Sequence, residues 1–302
     1  MSECRLSIHT ATYNRGYIIE QAYKSLQNQT SHDFEWVVTD DGSNDNTEDL
    51  FKKWIQEEKR FKIIYNKIEN GGIPKALNYG INHVNGDYFF MLDSDDYLLP
   101  NAVENIKKWI KEIDDIDDIA GVGVAICFKN GDYVKGVPPK IDPKKGYVDA
   151  PNLDRYKYDL DADMREAYKV DVIKKFPFQV WEGEKYAPEQ LCFDEMSLAG
   201  YKIRWYAERL YVCEYLQDGQ TKGSWNLLKR NPMGYAMLYN HKLKHTKGFK
   251  NKFNYACQHI ALSIIGKEYK YIFDSNAKGM TFLALPFGFL LSIRRKRQFK
   301  TQ

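Results

Sequence analysis

The stretch Gly86-Asp87-Tyr88-Phe89-Phe90-Met91-Leu92-Asp93-Ser94-Asp95-Asp96-Tyr97-Leu98-Leu99-Pro100 decides the fold. Tyr88 to Leu92 is an apolar, aromatic run that reads as a buried strand, and it stops at three carboxylates, Asp93, Asp95 and Asp96, within four positions. Carboxylates so crowded repel one another. A cation or a strong set of donors relieves them, and hard divalent ions such as Mg²⁺ or Mn²⁺ prefer oxygen ligands. Ligands of open α/β sheets sit outside the carboxyl ends of strands, where these acids fall. A plainer reading also accounts for the letters: a polar turn capping a helix that Pro100 opens.

Upstream, strand and helix patterns alternate. Arg5 to Thr10 is strand-like, Tyr13-Asn14-Arg15-Gly16 is a polar turn, and Ile18, Ile19, Ala22, Tyr23 and Leu26 recur at helical spacing. The unit repeats with Phe34 to Val38, the turn Asp40-Asp41-Gly42-Ser43, and a stripe of Leu50, Phe51, Trp54 and Ile55. Phe61 to Tyr65 is a third strand, and Asn70-Gly71-Gly72 precedes a helix with Ala76, Leu77, Tyr79 and Gly80. Such alternation predicts an α/β fold, a mainly parallel central sheet flanked by helices and joined by right-handed crossovers. Tyr13, Asp40, Asp41 and the acids from Asp93 to Asp96 then stand at strand ends. If those strands are neighbours, they line one crevice, with a ring to stack on a base and a carboxylate to accept an imide N–H. Taken singly, Asp40 to Ser43 is equally an Asx turn capping the next helix. The first turn lacks GxGxxG and nothing matches a P-loop, which disfavours a dinucleotide fold.

Composition narrows the class further. The 302 residues suffice for one large domain, or a domain with an appendage, and a formal net charge of +3 gives no reason to expect nucleic acid as a partner. Cys4, Cys127, Cys192, Cys213 and Cys257 show no CxxC spacing, so neither a zinc site nor a disulfide framework is expected. Strand-like sequence begins a few residues after Met1, and the expectation is a chain without a signal peptide in a reducing cytosol.

Four motifs in register carry a family resemblance. Ala11-Thr12-Tyr13-Asn14-Arg15, Asp40-Asp41-Gly42-Ser43 with Asp45 and Thr47, Asn70-Gly71-Gly72 with Ala76 and Asn78, and Asp93-Ser94-Asp95-Asp96 resemble family 2 glycosyltransferases. The resemblance is strong from Leu6 to Asn101 and looser to about Thr221. It implies a GT-A fold, a nucleotide-sugar donor, UDP-linked most often, and inversion at the anomeric carbon. By similarity Tyr13 lies against the base, Asp40 bonds its N–H and Asp93 faces the ribose. Thr12, Asn14, Arg15, Asp41, Asn70, Gly72, Asn78 and Ser94 complete the donor set. Asp95, helped by Asp96, holds Mn²⁺ or Mg²⁺ at the diphosphate. Lys75 is a candidate phosphate contact, or simply a solvated helix residue.

Downstream, Ala102, Val103, Ile106, Trp109 and Ile110 mark a helix, and the acidic run Glu112 to Asp118 is expected to be a solvated loop. Ala120 to Phe128 reads as a strand, Asn130-Gly131-Asp132 as a hairpin turn, and Val137 to Asp163 as an irregular connection over the site. Inverting transfer needs a carboxylate base, and Glu189 is the candidate, with Glu182, Glu184, Asp194 and Glu195 as alternatives. The family often has Glu followed by Asp here, but Gln190 follows Glu189, and a bacterial branch with a lone Glu is the nearer likeness. Glu189 is otherwise an acid favoured at a helix N-terminus. Tyr201 to Tyr206 and Leu210 to Cys213 are expected to be two closing strands, with Asp218 in the following loop a substitute for a metal-binding histidine. His9 is expected in the core.

A catalytic domain over 1–222 and a helical extension over 223–302 follow. Met280 to Ile293 is apolar except Thr281 and Ser292 and runs into Arg294-Arg295-Lys296-Arg297. It falls short of the roughly 20 residues that span a bilayer, and Pro286 and Gly288 weaken it as a helix, so 280–297 is expected to be an interfacial anchor or a segment docked on the core. Together these features predict sugar transfer to a hydroxyl of a glycan or lipid-linked glycan, in cell-surface polysaccharide assembly at the inner face of the plasma membrane. The alternatives are a catalytically impaired nucleotide-sugar binder and a metal-dependent nucleotidyltransferase, whose basic, glycine-rich triphosphate loop is not seen.

Overall fold

Strand β1 (Leu6–Thr12) is the hub of the sheet, with β2 (Glu35–Asp40) and β4 (Tyr88–Met91) paired parallel on its two sides. In this computed structural model, which describes residues 5–161, 164–214 and 224–301, β3 (Lys62–Lys67) adds parallel to β2. Three helices make the crossovers: α1 (Glu20–Gln27), α2 (Thr47–Glu57) and α3 (Ile73–His83). The remaining strands are β5 (Tyr97–Leu98), β6 (Ile119–Cys127), β7 (Tyr147–Ala150), β8 (Met164–Lys169) and β9 (Lys202–Val212). The sheet order is β3-β2-β1-β4-β8-β6-β9-β5, with β7 on β9.

The parallel half follows from its apolar runs. β1, β2 and β4 are buried on both faces, and Tyr23 of α1 and Trp54 of α2 stack with Trp36 of β2, the Tyr23 and Trp54 centroids 4.4 Å apart. The expected parallel sheet with flanking helices is therefore present. Helix α4 (Ala102–Ile113) adds a core face of Val103, Ile106, Trp109 and Ile110.

Several expectations are corrected. Strand β8 lies antiparallel between β4 and β6, in a stretch to which the sequence reading assigned no element. The two closing strands are one continuous β9, because its register shifts against β6 absorb the polar Ala207-Glu208-Arg209 break. The acidic run is not merely solvated. Glu112 lies in α4 and accepts the Tyr206 hydroxyl, Asp114 accepts that of Tyr88, and Asp118 pairs with Lys202. The connection before β8 is also structured, with β7, a 3₁₀ turn at Asn152–Tyr158, and Lys135 bridging Asp159 and Asp161.

Two compact units are present. One comprises the described residues to Pro177 with Cys192–Glu214, and the other Phe178–Leu191 with the described residues from Ser224. The helical unit thus takes in a segment that the expected boundary at 222 assigned to the catalytic domain. The Glu184 carboxylate accepts the N–H groups of Met233 and Gly234 at 2.8 and 2.7 Å, and Ala187 and Leu191 pack on Leu238. This unit contains α7 (Ser224–Arg230), α8 (Pro232–His245), α9 (Phe249–Ile265) and α10 (Lys278–Thr301). Pro286 does not interrupt α10, which packs so closely on α9 that a Cβ at Gly288 would lie 2.6 Å from Ile260. Helix α5 (Val170–Ile173) and helix α6 (Gln190–Leu198) complete the list. The loop at 219–221 and Asp218 lie outside the described residues.

Candidate active site

The motif turns meet at one sheet edge because β1 stands between β2 and β4. Thr12 pairs with Asp40 in register, the Asp41 N–H donates to the Thr12 carbonyl at 2.8 Å, and the Leu92 N–H to that of His9 at 2.9 Å. The carboxyl ends of three parallel strands thereby carry Thr12, Asp40 and Asp93 to a common rim, the usual ligand position in such sheets.

The turns after β1 and β2 are stitched together. Asn14, in the left-handed region at φ 52°, donates its N–H to Ser43 Oγ at 2.8 Å, and its Oδ1 accepts the Asn44 N–H at 2.8 Å. Asp40 is fully buried. Its Oδ1 accepts the Ser43 N–H at 2.7 Å and its Oδ2 accepts the Tyr65 hydroxyl, whose pKa is raised by burial and then by that carboxylate. Asp41 turns to the glycine-rich turn, where its carboxylate accepts the N–H groups of Gly71 and Gly72 at 2.8 Å each and Asn70 Nδ2 at 2.9 Å. Gly72 needs its freedom, since φ is 90° at the start of α3. Burial acts to raise the Asp45 pKa, but bonds from Thr47 and the Gly16 N–H outweigh it and hold the carboxyl below its ordinary range.

Tyr13 presents its ring at 46% exposure, free to take a stacking partner, and Arg15 lies beside Tyr17. Thr12 is buried with its hydroxyl lacking a hydrogen bond among the described residues. Lys75 is exposed and folded over Gly71, and Asn78 is half-buried on α3. His9 is a core residue, as expected: it is buried, bonded to Thr39 at 2.9 Å, stacked on Phe89, and held by burial at a pKa of about 3.

The acid cluster is sorted by its partners. Asp93 receives the Arg165 guanidinium, which lies 5.1 Å over the Tyr211 ring. The Asp93 N–H donates to the Tyr211 oxygen at 2.9 Å. Asp96 is buried and takes the Tyr211 hydroxyl, whose pKa is raised well above the usual value by burial first. Ser94 is buried between them. The Asp95 carboxylate is half-exposed and makes no hydrogen bond or ion pair among the described residues. An unpartnered hard oxygen pair beside acids that already have partners suits Mn²⁺ or Mg²⁺, so this turn fits a divalent ion at Asp95 better than at Asp96.

Arg165, Tyr65 and Tyr211 were not among the residues expected at this rim. Tyr65 and Tyr211 read only as strand residues, and Arg165 lies in β8, a stretch to which the sequence reading assigned no element. In the helical unit, Glu189 is half-buried and immediately precedes α6, and the Glu184 carboxylate is engaged by the Met233 and Gly234 N–H groups at the start of α8. Burial pushes the Glu184 pKa up, and its two backbone bonds offset part of that shift. Asp194 is buried, Glu195 half-buried and Glu182 exposed.

Comparison with known proteins adds the lineage. A protein of Rickettsia felis named an uncharacterized glycosyltransferase is 34% identical over 136 residues, 44% of this chain and 22% of that protein. The GalNAc(5)-diNAcBac-PP-undecaprenol beta-1,3-glucosyltransferase of Campylobacter jejuni is 32% identical over 108 residues, 36% of this chain and 35% of that protein. The chain thus matches about a fifth to a third of these relatives' lengths. Staphylococcus aureus TarS in complex with UDP-GlcNAc superposes with a TM-score of 0.58 at 19% identity, covering 86% of this chain and 72% of that one. The mannosyltransferase PcManGT of Pyrobaculum calidifontis, in complex with GDP-Man and Mn²⁺, gives 0.57 at 16% identity, covering 98% and 78%. These neighbours share the GT-A fold. The family model described as Glycosyl transferase family 2 matches residues 7–174, more than half of the 302, and the chain belongs to that family.

Proposed function

We propose that this protein is an inverting glycosyltransferase that moves a sugar from a nucleotide-diphosphate donor, most simply a UDP-sugar, to a hydroxyl of a glycan or lipid-linked glycan. The carrying observation is the Asp95 carboxylate, unpartnered among the described residues at a rim where Asp93 is paired with Arg165 and Asp96 is hydrogen-bonded by Tyr211. Tyr13 stacks on the base, Asp40 and Thr12 lie at the same rim, and Asp93, steered by Arg165, faces the ribose. A bound Mn²⁺ or Mg²⁺ at Asp95 supplies neutralisation of the charge that grows on the departing diphosphate. Glu189 takes the proton of the acceptor hydroxyl as that oxygen attacks the anomeric carbon opposite the leaving group. The nucleotide-sugar complexes of TarS and PcManGT, and the undecaprenol-linked acceptor in the Campylobacter relative's name, support this reading and its setting. That setting is cell-surface polysaccharide assembly, by a cytoplasmic protein peripheral to the inner face of the plasma membrane.

The experiment is donor turnover over a panel of UDP-sugars and acceptor glycans with added Mn²⁺ or Mg²⁺. Asp95→Ala is expected to lose at least about a hundredfold in turnover, the scale of losing a principal electrostatic contact, with little loss of stability. Glu189→Gln is expected to retain donor binding and lose transfer. Unchanged transfer in Glu189→Gln refutes the base. Donor binding without transfer in the unmodified protein establishes instead the impaired binder that Gln190 allows.

A further inference from the structure

Helix α10 packs the wrong way round for a helix in water. From Thr281 to Ser292 its fully buried positions are small or polar, Thr281, Ala284, Gly288 and Ser292, with Leu285 and Leu291 half-buried beside them, whereas Phe282, Leu283, Phe287, Phe289 and Leu290 are 75, 51, 56, 55 and 62% exposed. At about 100° per residue, the exposed apolar positions and Pro286 share one arc of about 160° opposite the small-residue stripe. Close packing through small residues with large apolar side chains outward is what a helix adopts when its outer surroundings are apolar. Helix α9 extends the patch. Phe249 is 63% exposed and stacks on Phe253, whose ring meets Phe287 edge-on at 5.3 Å.

Charge identifies the occupant. Arg294, Lys296 and Arg297 are exposed within the turns that follow the aromatic arc, and Arg294 and Arg297 continue the same side of the helix. Arg295, expected among the headgroup-facing bases, instead turns inward to Gln258 and over Trp225. Lys247, Lys250 and Lys252 flank Phe249, and neither α9 nor α10 contains an Asp or Glu. A two-fold contact with a second copy would bring like charges together. No helix among the described residues is long and apolar enough to cross a membrane.

We infer that the outer face of α9 and α10 docks in the plane of an anionic lipid leaflet, with the Phe282, Phe287 and Leu290 side chains entering the interface and Arg294 and Arg297 engaging phosphate headgroups. This deepens the proposed membrane setting and rests on it only for the identity of the leaflet.

The test is co-sedimentation of the full chain with phosphatidylcholine vesicles and with vesicles that also contain phosphatidylglycerol. The unmodified protein is expected to partition about tenfold or more better onto the anionic vesicles, with salt weakening the difference. Phe282→Ser with Phe287→Ser, and separately Arg294→Glu with Arg297→Glu, are each expected to reduce binding about tenfold. The second pair alters only exposed charges, so it reads out docking even if the first perturbs folding. Thermal stabilisation by UDP with Mn²⁺ is the control and is expected to be unchanged. Equal binding to the two vesicle types, or retained binding in the charge-reversed pair, overturns the inference. So does a discrete dimer, seen by sedimentation velocity, that dissociates in the serine pair while vesicle binding persists. Loss of docking with donor turnover intact leaves the transferase reading standing, and the reverse result overturns that reading alone.

Discussion

Replacing Asp41 with Asn tests whether one carboxylate holds the glycine-rich turn against the end of β2. Its oxygens accept Gly71 and Gly72 N–H at 2.8 Å and Asn70 Nδ2 at 2.9 Å, and the residue is only 5% exposed. A hydrogen bond to a charged acceptor contributes about 1.5–3 kcal/mol, and three around one group do not simply add. Asn removes the charge from all three bonds and keeps one acceptor oxygen. Its NH₂ must then face at least one N–H donor from the turn. The expected loss is about 2–4 kcal/mol. Urea unfolding followed by tryptophan fluorescence suits the measurement, because Trp36 and Trp54, 0% and 4% exposed, report on the same unit. The midpoint is expected to fall with an unchanged slope. Donor KM is expected to rise, since the displaced turn carries Asn70, Gly72 and Lys75. A loss below about 1 kcal/mol, the value of an ordinary neutral bond, would refute the clamp and leave the turn held by its backbone alone.

Three further outcomes are expected. Glu58, almost fully buried, has its pKa raised by burial but lowered more strongly by Arg60 and Gln27, to about 2 from 4.5. Its stabilisation, about 3 kcal/mol, is therefore present above pH 4.5 and is lost as pH falls toward 2, and Glu58→Gln should flatten acid unfolding in that window. Gly80→Ala would place a Cβ 2.1 Å from the buried His9 ring, and a loss of about 1–3 kcal/mol is expected in the same urea assay. Tyr211→Phe removes the hydroxyl shared by the Asp93 N–H and the Asp96 carboxylate. It should cost about 1–3 kcal/mol and raise donor KM, and unchanged KM would show that the acid turn keeps its shape without it.

Local pattern determined the parallel half of the sheet. Tyr88 to Leu92, the apolar runs of β1 and β2 and the stripes through Tyr23 and Trp54 each carry their own period, and short crossovers leave few ways to join them. The motif turns were legible for the same reason, since glycine and aspartate at strand ends report local backbone demands. β8 was not legible, because an antiparallel strand inserted between two others is chosen by its neighbours' unpaired N–H and C=O groups rather than by its own period.

The partners of the acids were decided only by tertiary structure. From the sequence, Asp93, Asp95 and Asp96 were one repelling cluster. The fold gives Asp93 to Arg165, 72 residues away, and Asp96 to the buried Tyr211, leaving the Asp95 carboxylate without a partner among the described residues. The C-terminal helix shows the same division. Its apolar run and basic end are sequence properties, but which residues face outward depends on how α10 packs on α9, where Gly288 meets Ile260 too closely for a side chain. Sequence fixes what a residue can do chemically at short range; long-range packing selects which of those chemistries remains available.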